Sequence, residues 1–111
     1  MRYWTVEEAE AYLPRVVELI AILKRNVPAA RASGNGHRQA GRDHVQGALD
    51  ELNEGSIVLR RLDDGLVDFP ARGADGEVYY LCWKQGEQGV GWWHGVDEGF
   101  PGRKRLPRSG G

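Results

Sequence analysis

The spacing of the apolar residues changes from a helical to a strand-like period near Ser56. Before Ser56, apolar side chains recur every three or four residues along two segments, and after it four short runs rich in β-branched and aromatic residues are separated by glycine-containing turns. The first period is typical of helices and the second pattern of strands. The order predicts an α+β fold, with an N-terminal antiparallel helical hairpin packed on one face of a three- to four-stranded antiparallel β-meander.

Local signals set the expected bounds of the two helices. The residues Thr5–Glu8 have the spacing of a capping box, in which the threonine and glutamate side chains satisfy free backbone N–H groups. The first helix is predicted from Val6 to Arg25, with a bend near Leu13 because a proline follows it. A loop is predicted over Pro28–Gly36, and a second helix over Arg38–Glu54.

The turns between the strands suggest a register. The predicted strands are Ile57–Leu62, Leu66–Ala71, Glu77–Lys84 and Val90–Gly95. If Arg72 pairs with Glu77 and Lys84 with Val90, counting along the strands places two sets of side chains on opposite faces. One face then carries Val67, Phe69, Tyr80, Cys82, Trp92 and His94, and the other carries Asp68, Leu81 and Trp93. Pro70 lacks an N–H and is expected at a bulge or a strand end.

The composition predicts one ordinary domain. At 111 residues, the chain is expected to form a single domain over residues 1–111. Its parts are the helical hairpin (about 5–55), the meander (about 56–96) and a solvated basic tail (101–111). The formal net charge of −1 makes nucleic acid an unlikely partner. A single cysteine excludes an intramolecular disulfide, and no signal peptide or membrane-spanning run is present, so we expect a cytoplasmic location.

The stretch Tyr79–Gly95 concentrates unusual residues, because it holds two tyrosines, three tryptophans, the only cysteine and a histidine. A middle strand that is covered on both faces reads as a nearly continuous apolar run. One face of this strand is expected to pack on the helical hairpin. The other face needs a second cover, which the sequence leaves open: the C-terminal segment, another subunit or a ligand.

Cys82 and His94 are the first candidates for chemistry, since the predicted register points them the same way. A thiolate and an imidazole can act as nucleophile and base, or as two ligands of a metal ion completed by Glu87. Equally, Cys82 can be a small buried apolar residue and His94 a hydrogen-bonded strand residue.

Asp68 interrupts an apolar strand, and a buried carboxylate is costly unless it is paired. The candidate partners are Arg103, Lys84, the indole of Trp93 and backbone N–H groups of the glycine turns. Asp68 is therefore either a structural pin for the C-terminal segment or an acid that orients a ligand.

The remaining candidates surround this strand. Trp92 and Trp93 place one indole on each face of the sheet, and Phe100 is expected to anchor the tail, which presents Arg103 as a planar donor. Glu87 lies in a glycine turn and is expected to be solvated. The candidate site residues are Asp68, Cys82, Trp83, Glu87, Trp92, Trp93, His94, Phe100 and Arg103.

The pattern GLVDFP, LCW, GE, WH, GF and GR resembles a family of small bacterial proteins of unknown function. The matching residues are Ala11, Leu13, Pro14, Gly65–Pro70, Leu81–Trp83, Gly86, Glu87, Trp93, His94, Gly99, Phe100, Gly102 and Arg103. The resemblance covers nearly the whole chain and implies kinship, but it implies no activity.

Three functions remain open at this level, and the near-neutral charge argues against the third, nucleic-acid binding through Arg/Lys side chains and stacking tryptophans. The favoured hypothesis is a non-catalytic binding or assembly module that acts as a homodimer and uses the aromatic sheet face and the Gly99–Arg103 segment. The alternative is an enzyme or metal-binding site built from Asp68, Cys82, Glu87, His94 and Arg103. The sequence names no substrate and no cofactor.

Overall fold

The computed structural model describes residues 1–31 and 35–107 and confirms the α+β architecture. Two packed helices precede a five-stranded antiparallel sheet. The elements are α1 (Val6–Arg31), α2 (Asn35–Glu54), β1 (Val58–Arg61), β2 (Leu66–Arg72), β3 (Val78–Lys84), β4 (Trp92–Gly95), a 3₁₀ turn (Phe100–Gly102) and β5 (Lys104–Arg105). No helix in the described ranges is long and apolar enough to cross a membrane.

The capping box is present at the start of α1. Thr5 N–H donates to Glu8 Oε1 at 2.9 Å, and Glu8 N–H donates to Thr5 Oγ1 at 3.1 Å. The helix then continues through Pro14 and Pro28 to its last described residue. The predicted end and loop were therefore wrong wherever the structure describes them, while residues 32–34 lie outside the described residues. Packing of α1 on α2 outweighs the local cost of the prolines, about 3 kcal/mol each.

One ion pair joins the two helices. Glu51 on α2 accepts hydrogen bonds from Arg15 Nε at 2.6 Å, from Arg15 Nη2 at 2.7 Å and from the Tyr12 hydroxyl at 2.9 Å. These hydrogen bonds, led by those from Arg15, lower the pKa of Glu51 to about 2. The pair lies on the helical side of the molecule, and a second arginine–glutamate pair, between Arg103 and Glu87, lies in the strand-rich part of the chain.

The five strands follow the order β1-β2-β3-β4-β5. The fifth strand corrects the prediction of three or four, since Lys104 pairs with Trp93 and Arg105 with Trp92. Part of the predicted solvated tail is therefore an edge strand. A two-residue strand has no measurable period, so the sequence pattern carried no signal for it.

The β2–β3 register differs from the prediction by one residue. Gly73 N–H donates to Glu77 O at 2.8 Å, so Gly73 rather than Arg72 faces Glu77, and Arg72 pairs with Val78. The shorter loop closes because Gly76 takes a positive φ of 84°, as in three-residue hairpin loops. The slip moves Asp68 to the other face. The predicted β3–β4 register, by contrast, is confirmed.

Both faces of β3 are covered. Leu81 and Trp83 point to the helices and belong to the main hydrophobic core, together with Val67 and Phe69 of β2. Cys82 points to the opposite face and is also buried. We call this second surface, away from the helices, the outer face.

Pro70 lies inside β2 rather than at a bulge or strand end. It is tolerated because β1 pairs only as far as Asp68, which leaves the next position on that side without a strand partner. The Pro70 carbonyl instead accepts the backbone N–H of Trp4 at 2.7 Å. Since the N–H and C=O of one residue point to the same side of a strand, the donor that proline lacks falls where no ladder partner exists.

Candidate functional site

Three side chains of the outer face form a buried cluster. Asp68 on β2, Cys82 on β3 and His94 on β4 are each 1% exposed, and one ligand atom from each lies within 4.8 Å of the others. The register explains the convergence, because Asp68 stands directly across from Cys82 and His94 stands across from Tyr80, two positions away. We call these three residues the outer-face cluster.

Asp68 is paired, but not with the partners that the sequence suggested. Its Oδ2 atom accepts Arg60 Nε at 2.8 Å and lies 2.9 Å from His94 Nε2. The expected Asp68–Arg103 pair is absent, because Arg103 pairs with Glu87 instead. The Oδ1 atom of Asp68 is buried and has no hydrogen-bond partner among the described residues. Burying a carboxylate oxygen without a hydrogen-bond partner raises the free energy of the folded state.

The histidine ring is oriented by two acceptors. His94 Nδ1 lies 2.8 Å from the Gly95 carbonyl oxygen, which can only accept, so the hydrogen-bond network assigns a hydrogen to Nδ1. In the neutral ring Nε2 would then carry a lone pair, yet it faces a carboxylate oxygen at 2.9 Å. Two acceptors at this distance repel each other. A proton shared by the two atoms, or a cation that both of them bind, relieves this repulsion.

Cys82 is held as a thiol. Burial raises its pKa to about 11, and the nearby negative charge of Asp68 acts in the same direction. Arg103 Nη1, 4.0 Å from Cys82 Sγ, opposes these effects without cancelling them. Since the thiolate is the nucleophile, this environment does not favour Cys82 as a catalytic nucleophile without a further cation.

The raised pKa predicts a loss of stability at alkaline pH. A folded-state pKa above the unfolded value contributes stability below pH 9, and this contribution is lost as the pH rises toward about 11. At about 1.4 kcal/mol per pKa unit, the loss for Cys82 is about 2 to 3 kcal/mol. Urea unfolding of chelator-treated protein should show this loss in the natural chain but not in Cys82→Ala. Equal slopes against pH in the two proteins would contradict the prediction.

Arg103 and Glu87 cover the cluster from outside. The guanidinium makes two hydrogen bonds to the Glu87 carboxylate, at 2.6 and 3.1 Å, and lies over the rings of Trp92 and Phe100 at 4.3 and 4.4 Å. Glu87 also accepts the Lys84 N–H at 2.8 Å. Burial alone would raise the pKa of Glu87, but these hydrogen bonds lower it. Glu87 is thus a paired residue rather than the solvated turn residue that we expected.

A family model matches the chain over residues 24–106, which is most of its length. The model describes an uncharacterized conserved protein. The chain belongs to the DUF2203 family. This agrees with the resemblance to a family of unknown function, although residues 1–23 lie outside the match. No curated protein and no solved structure matches the chain.

Two of the candidates in this DUF2203 chain lie on the other side of the sheet. Trp83 belongs to the helix-facing core and donates its indole N–H to the Glu87 carbonyl at 3.1 Å. Trp93 is half-buried on the same side, against Tyr79, with Lys104 over its ring. Neither side chain joins the outer-face cluster.

The aromatic residues do not form an exposed apolar patch. Among the described residues, the large apolar side chains that are exposed are Met1, Val17 and Val96. Trp92 is covered by Arg103 on one side and approached by Arg105 on another. The exposed tryptophan surface that would support an assembly module is therefore absent from the part of the chain that the structure describes.

Sequence reasoning missed Arg60 and the carbonyl of Gly95. Arg60 and Arg61 are adjacent in a strand, so one of them must share a face with Asp68, and this was the available signal. The carbonyl of Gly95 is a backbone group and leaves no trace in residue identity. Beside Arg60, a cleft of about 370 Å³ borders the cluster, with Asp68 and Phe100 among its lining residues.

Proposed function

We propose that this DUF2203 protein binds one transition-metal ion, with Zn²⁺ as the best chemical fit, at Asp68, Cys82 and His94. The observation that carries the proposal is the convergence of a carboxylate, a thiol and an imidazole in one buried cluster. The proposal concerns binding of the ion and assigns no reaction to it.

The donor set suits a borderline-soft cation. Thiolate, imidazole and carboxylate are the three ligand types that Zn²⁺ uses in proteins, and sets of three protein ligands are typical of zinc sites that keep one position open. The hydrogen bond from His94 Nδ1 to the Gly95 carbonyl is also typical of a metal-binding histidine, because it fixes the ring with Nε2 free to coordinate. These features support a metal ligand role for His94.

Charge also supports the proposal. A dication held by one carboxylate and one thiolate is neutral as a unit, and it removes the conflict between the facing acceptors of His94 and Asp68. The cation would supply the charge that keeps Cys82 as a thiolate, which the metal-free environment opposes. Arg60 would hold the Asp68 carboxylate in place through its 2.8 Å hydrogen bond to Oδ2, the same oxygen that faces His94, while Oδ1 has no partner among the described residues.

The test is metal content and metal affinity. Protein purified without chelator or metal resin should carry about one Zn²⁺ per chain by elemental analysis. Co²⁺ added to the metal-free protein should give a thiolate charge-transfer band. Cys82→Ser should lose both the bound Zn²⁺ and the charge-transfer band. Asp68→Asn and His94→Gln should bind the metal at least about tenfold more weakly than the natural chain. His44→Gln is the matched control, because His44 is an exposed histidine on α2.

The proton is the competing explanation, and the same experiment separates the two. If neither Zn²⁺ nor Co²⁺ binds to the folded natural chain, the particle between His94 and Asp68 is a proton. The cluster is then a structural ion pair with Arg60. Binding that survives in all three ligand variants would also contradict the proposed site.

The homodimer predicted from the sequence stays a prediction, as do the bacterial source and the cytoplasmic location. Native mass spectrometry of protein purified in the same way, without chelator or metal resin, measures the oligomeric state and any bound adduct together. A dimer without metal would favour the assembly module over the metal site.

A further inference from the structure

We propose that residues 96–103 form a latch over the outer-face cluster, that this latch must open before an ion reaches the cluster, and that Arg103 holds it closed. The part that concerns metal access rests on the proposed function. The opening of the latch itself does not, since it is a property of the chain alone.

The cluster is closed to solvent in the structure. Asp68, Cys82 and His94 are each 1% exposed, and they lie on the three central strands of the sheet. These strands are fixed by continuous pairing, and their opposite face is packed against the helices. A route to the cluster therefore has to pass through the cover on the outer face.

Arg103 is the residue of that cover which touches both the cluster and the sheet. Its Nη1 atom lies 4.0 Å from Cys82 Sγ and 3.1 Å from Glu87 Oε1, while Nη2 lies 2.6 Å from Glu87 Oε2. The guanidinium also contacts the rings of Trp92 and Phe100. The Arg103 and Glu87 side chains are only 14% and 19% exposed, so their charge-assisted hydrogen bonds are partly shielded from water.

The backbone of the latch is bonded mainly to itself. Glu98 N–H donates to Gly95 O, Gly102 N–H to Gly99 O and Arg103 N–H to Phe100 O, each at 3.1 Å. Among the described residues, the bond from Glu98 to Gly95, the last residue of β4, is the one backbone hydrogen bond that joins residues 96–103 to a strand. Side-chain contacts therefore hold the latch down, and such a segment opens at a lower free energy than paired strands do.

A cleft already exists at the edge of the latch. It measures about 370 Å³ and is lined by Arg60 and Asp68 on one side and by Glu98, Gly99 and Phe100 of the latch on the other. Movement of the latch away from the sheet widens this cleft toward Asp68. Opening thus extends an existing path and leaves the core undisturbed.

The reaction of Cys82 with a neutral aromatic disulfide, such as dithiodipyridine, measures opening directly. Cys82 is the only cysteine, so the rate reports on the cluster alone. The variants are Glu87→Gln and Arg103→Met, each of which removes the ion pair from one side. Glu51→Gln is the matched control, because it removes the other two-point arginine–glutamate pair on the helical side of the molecule.

Both latch variants are expected to react about tenfold faster than the natural chain under native conditions, while Glu51→Gln reacts at the natural rate once corrected for its global stability. The two variants remove charges of opposite sign: Arg103 lowers the pKa of the Cys82 thiol, so losing it disfavours the thiolate, whereas removing the negative charge of Glu87 does not disfavour it. A shared acceleration therefore reports opening rather than thiol acidity. At low urea concentrations, the reaction rate of Cys82 should also change only weakly with the urea concentration, as expected for a local opening.

Three results would overturn the latch. Acceleration in Glu87→Gln with slowing in Arg103→Met would mean that charge alone sets the rate. Equal acceleration in Glu51→Gln, or a urea dependence equal to that of global unfolding, would mean that Cys82 reacts only from the unfolded chain. Because the thiol reaction uses metal-free protein, a failure of the metal proposal leaves this result intact.

If metal does bind, Glu87→Gln should also bind Co²⁺ about tenfold faster.

Discussion

Replacing Asp68 with alanine is expected to lower the free energy of unfolding by about 3–5 kcal/mol, because it breaks a buried ion pair from one side. Asp68 is 1% exposed and accepts hydrogen bonds from Arg60 and His94. Without the carboxylate, His94 Nε2 is left buried without its partner and Arg60 loses the acceptor that its side chain reaches. Urea unfolding of metal-free protein at neutral pH measures the change.

Two comparisons make this prediction specific. Asp63 is exposed in the turn between β1 and β2, so Asp63→Ala should change the free energy of unfolding by less than about 0.5 kcal/mol. His94→Ala should cost a similar amount to Asp68→Ala, and the double variant should cost less than the sum, since both changes remove one shared interaction. A loss below about 1 kcal/mol for Asp68→Ala, or full additivity, would contradict the pairing.

Trp4→Ala is the second change with a large expected effect, about 3–5 kcal/mol, because it empties a large core position. The indole is 4% exposed and packs against Tyr12 and Phe69, with ring centroids 5.3 Å away in each case. Its N–H donates to the Gly55 carbonyl at 2.7 Å. Trp4 therefore joins the N-terminal segment, α1 and the sheet. Thermal or urea unfolding measures the stability lost in Trp4→Ala.

Trp4→Phe separates the two contributions of this residue. Phenylalanine keeps most of the apolar contact but leaves the buried Gly55 carbonyl without its donor, at an expected cost of about 1–3 kcal/mol. Trp93→Ala is the control for loss of an indole, since Trp93 is only half-buried and should cost less than Trp4→Ala. Equal costs at positions 4 and 93 would show that Trp4 is not a core residue.

The fold class and much of its detail could be predicted from local signals. The capping box at Thr5 and Glu8 involves residues three apart, and the structure contains both of its hydrogen bonds. The β3–β4 pairing of Tyr80 with His94 was also predicted correctly. Such features depend on neighbours along the chain, so residue types and spacing are enough to predict them.

The candidate site was harder, because it depends on one residue of register. Their residue types made Asp68, Cys82 and His94 candidate site residues, but the predicted turn between β2 and β3 placed Asp68 on the wrong face. The actual loop closes on Gly73 and Glu77, since Gly76 adopts a positive φ. Sequence alone could not choose between the two loops, because both are short and both contain glycine.

The sequence by itself thus determined the order of the two helices and the first four strands, and the residue types available on the outer face. Only the tertiary structure decided which charges meet, namely Asp68 with Arg60 and Glu87 with Arg103. The physical reason is that ion pairs form between side chains brought together on one face by register and by the return of the C-terminal segment. Those two features depend on the closure of loops and on packing across the whole sheet, which no local pattern encodes.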